Sequence, residues 1–101
     1  MLLDLTNTNK RAIIDDKNYA RVSSFKWFLK RVGPSSYYVA VSISLNGKVK
    51  TLYLHRLIMQ PQPGMDVHHI DGDPLNNLEE NLEERKAIPH RSWHLSKTRE
   101  G

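Results

Sequence analysis

The sequence predicts an α+β chain: an N-terminal antiparallel β-sheet with one short helix, followed by a C-terminal strand–strand–helix unit. Three observations carry this reading. Residues 37–54 hold two apolar, β-branched runs separated by Asn46-Gly47, the preferred pair for a two-residue hairpin loop. Pro61-Gln62-Pro63-Gly64 breaks the chain, and the texture after it is different. Pro89 stands where it can open a last helix over 90–98.

The elements follow in order. Arg11-Ala12-Ile13-Ile14-Asp15 reads as a first strand, and Asp15 or Asp16 offers an N-cap for a short helix over 17–25. Extended structure resumes over 26–30, and Gly33-Pro34-Ser35-Ser36 marks a turn. Residues 37–45 form the strongest strand of the chain, and 48–54 return antiparallel to it. Alternation in the returning strand puts Lys48 and Lys50 on one face and Val49 and Thr51 on the other. The hairpin is therefore expected to have one basic and one apolar face. Residues 54–60 suit a helical turn, 67–70 a strand, 71–77 a loop and 81–85 a second short strand. Trp27, Tyr38 and Trp93 are expected in the core rather than as base-stacking platforms.

Composition narrows the function. A chain of 101 residues with 39% hydrophobic and 26% charged residues is one globular domain's worth, not a disordered or fibrous sequence. Residues 1–60 and 61–101 are expected to act as a basic β-rich region and a second unit within one compact body. Cysteine is absent, which excludes disulfides, thiolate zinc sites and thiol nucleophiles, and fits a reducing compartment. No apolar run is long enough to span a bilayer, and MLLDLTNTNK lacks the features of a secretory signal, so a cytoplasmic protein is expected. Residues 1–60 carry ten Lys/Arg against three Asp/Glu, a balance of +7; residues 61–101 carry five against eight, a balance of −3. The basic half suits a phosphate backbone as partner, or is simply a solvated face.

The second half concentrates histidine: His68, His69, His90 and His94. On the expected helix His90 and His94 are four apart and share a face, a metal-ligand spacing. One further imidazole would complete three protein ligands and leave a coordination position open. His68 and His69 are adjacent on a strand, so their side chains point to opposite faces and only one can serve the metal. The other is free to act as a general base. An EF-hand at Asp71-Gly72-Asp73 fails, because Asn76 and Leu82 stand where Gly and Glu are required. Asn76 and Asn77 read as loop formers. His55 is left open between a phosphate contact, together with Arg56, and a packing role.

Val67-His68-His69-Ile70-Asp71-Gly72, then Asn76-Asn77, Asn81-Leu82 and His90, resembles the signature of the HNH endonucleases, the ββα-metal or His-Me finger family. Small phage and homing-type members are the nearest in pattern, and the likeness covers residues 65–94. The resemblance implies His69 as general base and His68, His90 and His94 as ligands of one divalent ion. Asn81 is implied as the residue that pins the loop and orients the base. His94 matches colicin-type members rather than phage ones. Three imidazoles suit Zn²⁺, Ni²⁺ or Mn²⁺ better than Mg²⁺. The implied activity is hydrolysis of phosphodiester bonds in duplex DNA, leaving 5′-phosphate and 3′-hydroxyl ends. Lys48, Lys50, Arg56, Arg85 and Arg91 are candidate DNA contacts. The three-strand texture of the first half also looks like the Apetala-type DNA-binding module. Double-strand cutting would require a homodimer or two sequential nicks, and other phage proteins are further partners that the resemblance implies. Two alternatives stand beside this: a DNA-binding protein with a structural zinc, and a hydrolase acting on RNA or nucleotides.

Overall fold

A computed structural model describes residues 1–87. The chain runs β1 (Leu2–Asp4), β2 (Arg11–Ile14), α1 (Asp16–Val22), β3 (Phe28–Arg31), β4 (Tyr37–Leu45), β5 (Lys48–Tyr53), α2 (Leu54–Met59), β6 (Met65–His69), β7 (Asn76–Asn77), a 3-10 turn (Glu79–Asn81) and β8 (Leu82–Lys86). The result is an α+β fold of small sheets and short helices.

The first half makes two sheets where one was expected. β1 pairs antiparallel with β2, and β2 pairs parallel with β7, so the first sheet is completed by the second half of the chain. β1 was not predicted. Three residues are too few to show a period, and the strand forms because Leu3 alternates inward between exposed Leu2 and Asp4. In β2 the same alternation buries Ala12 and Ile14 completely.

Helix α1 ends three residues before the expected position. Its last residue, Val22, is buried, and the Val22 carbonyl accepts the indole N–H of Trp27 at 2.8 Å. The Val22 carbonyl also accepts the Phe25 N–H at 3.2 Å, and its second lone pair supplies the acceptor that a buried tryptophan needs. Asp15 takes the N-cap position with extended dihedrals, but its carboxylate does not cap the helix. It accepts the Glu79 N–H at 2.7 Å instead.

The second sheet, β3–β4–β5, is antiparallel throughout. Leu45 faces Lys48 across the loop, where Asn46 and Gly47 both adopt positive φ (52° and 77°). That pair of conformations matches the twist of the flanking strands, and asparagine and glycine tolerate it best. The tip departs from expectation in one respect: Val49 is 77% exposed, so the outer hairpin has no covered apolar face. Beyond α2, Gln60 closes the helix in the left-handed region and donates its N–H to the Arg56 carbonyl at 2.8 Å.

The third sheet is the antiparallel pair β6–β8, in register from Met65↔Lys86 to His69↔Leu82. Among the described residues one core cluster joins the three sheets. It includes Leu3, Ile14, Val22, Trp27, Val39 and Leu54 from the first half and Val67 and Leu82 from the second.

Candidate active site

Strand alternation separates the two adjacent histidines. Val67 and His69 face the core, and Asp66 and His68 face outward. His69 is 6% exposed. Its Nε2 lies 3.0 Å from Oδ1 of Asn77, which is fully buried. Three aromatic rings complete the surroundings. Tyr38 stacks on His69 at 6.0 Å and 25°, His55 packs against it at 4.9 Å, and Tyr53 packs in turn on His55 at 5.9 Å.

The loop between β6 and the 3-10 turn holds its shape through side-chain amides and carboxylates. Asn81 donates from Nδ2 to Oδ1 of Asp71 and to the Asn76 carbonyl, both at 2.9 Å, and accepts the Asp71 N–H at 3.1 Å. Asp71 also accepts the Asp73 N–H at 2.8 Å and the Asn76 amide at 3.0 Å. These donors favour its charged form, the Asp73 N–H most of all, and hold its pKa below the usual value. Gly72 turns the chain at φ 77° and donates its N–H to the His69 carbonyl. A Cβ at that φ would be strained.

The loop is also tied to the first half. β7 pairs with β2 through Ile13↔Asn76 and Ile14↔Asn77. Glu79 accepts the Asn18 amide at 2.9 Å and pairs with Lys17 at 3.2 Å. The two sides of the His69–Asn77 contact are thus set by different sheets, β6–β8 and β1–β2–β7.

Two clefts open beside the histidines. One, about 660 Å³, is lined by Thr51, Tyr53, His55, Arg56, His68 and Arg85, among others. The other, about 350 Å³, is lined by Tyr38, His68, His69, Gly72 and Pro74 with residues of the 33–36 turn. Both have room for several waters at about 30 Å³ each.

The other candidates divide as follows. Lys48 and Lys50 are exposed on the hairpin tip. Arg56 and Arg85 line the larger cleft, but each already holds a carboxylate, Asp66 at 3.1 Å and Glu83 at 3.0 Å. A phosphate there would compete with exposed pairs of little strength. His90, Arg91, Trp93 and His94 lie outside the described residues. Among the described residues no group of three or more His, Cys, Asp or Glu side chains is arranged to hold a metal ion. Within that range His68 is the one member of the expected ligand set, and its exposed imidazole suits a borderline divalent cation.

Three residues gain a place that their sequence context does not announce. Tyr38, expected in the core, is half-buried and forms a wall of the histidine cluster. His55 is 4% exposed, and burial, with lesser contributions from His69 and Arg56, lowers its pKa from 6.5 to about 3. It is therefore a neutral ring in the cluster. Asn77, expected as a loop former, is instead the partner of His69. A hydrophobic strand partner and a fixed loop length would both have been needed to find it. No family model, curated protein or solved structure matches the chain. No helix among the described residues is long and apolar enough to cross a membrane.

Proposed function

We propose that this chain is a metal-dependent DNA endonuclease of the HNH type, built on a C-terminal ββα-metal motif. The observation that carries the reading is the His68–His69 pair on β6. One imidazole is exposed, while its neighbour is buried at a cleft wall and held by an amide. Hydrolysis of a phosphodiester needs an activated water, and an imidazole can accept its proton near neutral pH. In this reading His69 is that base. His68, with His90 and His94, holds one divalent ion (Zn²⁺, Mn²⁺, Ni²⁺ or Mg²⁺). When bound, the ion supplies charge stabilisation at the phosphoryl oxygens and the leaving 3′-oxygen. Asn81 keeps the loop from widening, and so keeps Asn77 against the base. Lys48 and Lys50, with Arg56, Arg85 and Arg91, follow the phosphates of duplex DNA.

The test is a supercoiled plasmid incubated with each of Mg²⁺, Mn²⁺, Ni²⁺ and Zn²⁺ and with EDTA, beside His69→Ala. The expected result is relaxation or linearisation with at least one metal, none with EDTA, and a loss of about 10²–10⁴-fold in the variant. Cleavage retained in His69→Ala removes it as the base. A plasmid that is shifted but never cut, with every metal, favours a DNA-binding protein with a structural zinc. Cleavage of matched RNA alone favours the RNA-directed hydrolase.

A further inference from the structure

We propose that Asn77 is the positioning residue of the site: it holds His69 with its proton on Nε2 and leaves Nδ1 to receive the proton of the attacking water. The proposal rests on the nuclease reading for the role of Nδ1; the tautomer itself rests on geometry. Asn77 has two polar side-chain atoms and two partners. Nδ2 lies 3.0 Å from the Pro74 carbonyl oxygen, and Oδ1 lies 3.0 Å from His69 Nε2. The Pro74 carbonyl can only accept, so the NH₂ end of the amide must face it. Turning the amide over would set two oxygens 3.0 Å apart. Asn77 is 0% exposed, so no bulk water relieves such a clash. The oxygen therefore faces His69, and an oxygen acceptor requires a donor opposite. Nε2 carries the hydrogen, and in the neutral ring Nδ1 carries the lone pair.

Neither partner can readily turn away. The Asn77 backbone is paired with Ile14 in the β2–β7 ladder, and Pro74 lies in the same loop, three residues earlier. The His69 ring is stacked by Tyr38 and packed by His55. Among the described residues Nε2 makes the one side-chain hydrogen bond of His69. The ring also lines the 350 Å³ cleft, where a water can reach it. A base held in one tautomer and one orientation meets its water without prior rearrangement, which is the gain that ring-orienting partners confer.

The test has two arms on the full-length chain. The first is ¹H–¹⁵N correlation of the imidazoles in the metal-free wild type, at a pH where the His69 ring is neutral. It is expected to show a slowly exchanging proton on His69 Nε2; a proton on Nδ1 overturns the proposal whatever the activity. The second arm compares Asn77→Leu with Asn77→Asp in the plasmid assay. Leu removes the acceptor at similar volume, and kcat is expected to fall about 10–100-fold with KM unchanged. Asp keeps an acceptor for Nε2 but sets a second oxygen against the Pro74 carbonyl, so only part of kcat is expected to return, with the Nε2 proton still visible. Equal losses in both variants, or a KM effect alone, would assign Asn77 a merely structural role and overturn the proposal. If Asn77→Leu does not fold, the wild-type spectrum and Asn77→Asp decide the matter. A wild type that cleaves under no metal refutes the nuclease reading, and with it the role of Nδ1, while the spectrum still decides the tautomer.

Discussion

A neutral histidine inside a small core ties stability to pH. His55 is surrounded by Tyr38, Tyr53, His69 and Arg56, and burial is the main reason its pKa falls to about 3. In the unfolded chain the same ring titrates near its ordinary 6.5. Between these values the unfolded chain binds a proton that the folded one refuses. Stability from this residue is therefore complete above pH 6.5 and declines as pH falls toward 3, by about 1.4 kcal/mol per unit. The carboxylates act lower. Asp71 and Glu79 have depressed pKa values, from ordinary values of 3.8 and 4.5, so their contributions are held above those values and lost below them. For Glu79 the main cause is the Asn18 amide. Of these three groups, His55 alone acts between pH 6.5 and 4.5. Urea denaturation across that window should show a wild-type loss of about 2–3 kcal/mol. His55→Phe should flatten the profile, and an unchanged slope would show that the ring is accessible to protons in the folded state.

At the scale of elements, the hairpin β4–β5 is where charge is most freely presented. Lys48 and Lys50 share a face, neither makes an ion pair among the described residues, and the loop carries them clear of the core. If they follow a DNA backbone, Lys48→Glu with Lys50→Glu should weaken binding at low salt. It should also reduce the slope of log K against log salt by about 2, one phosphate contact for each lysine. An identical slope would place the DNA elsewhere. The same hairpin shows what was legible in advance. Its strands and loop follow from local chemistry, an alternating β-branched run and an Asn-Gly pair, and the observed register agrees from Leu45↔Lys48 to Ala40↔Tyr53. α2 and the β6–β8 strands were legible for similar reasons, with ends displaced by one or two residues. The expected apolar face failed at Val49 because a pattern of alternation does not say whether anything covers the strand. β1 and β7 escaped notice because each is defined by its partner in the ladder, not by its own two or three residues. The contact between His69 and Asn77 depends on that β7 pairing, so loop composition alone could not reveal it.

At the scale of the molecule, the described parts of the two halves are joined through shared burial. Ile14 is fully buried in the first sheet, Leu82 is 5% exposed in the third, and both belong to one cluster with Trp27 and Leu54. Polar contacts cross the same boundary: the Asp15 carboxylate on the Glu79 N–H, and the Asn18 amide on the Glu79 carboxylate. A chain of this size has only about 5–15 kcal/mol of stability in total, so neither half can lose its share of the core and stay folded. Unfolding should therefore be a single event. In a urea titration followed by NMR, the indole N–H of Trp27 reports the first half and the β6–β8 amides report the second. The two should vanish at one midpoint. Ile14→Ala and Leu82→Ala should each cost about 2–5 kcal/mol and move both signals together, although the substitutions lie 68 residues apart (82 − 14). Separate midpoints, or a variant that shifts only its own half, would mean that residues 1–60 and 61–101 fold independently. The His69–Asn77 contact, which needs β6 from one sheet and β7 from another, would then have to form by docking of the two halves rather than by folding of one core.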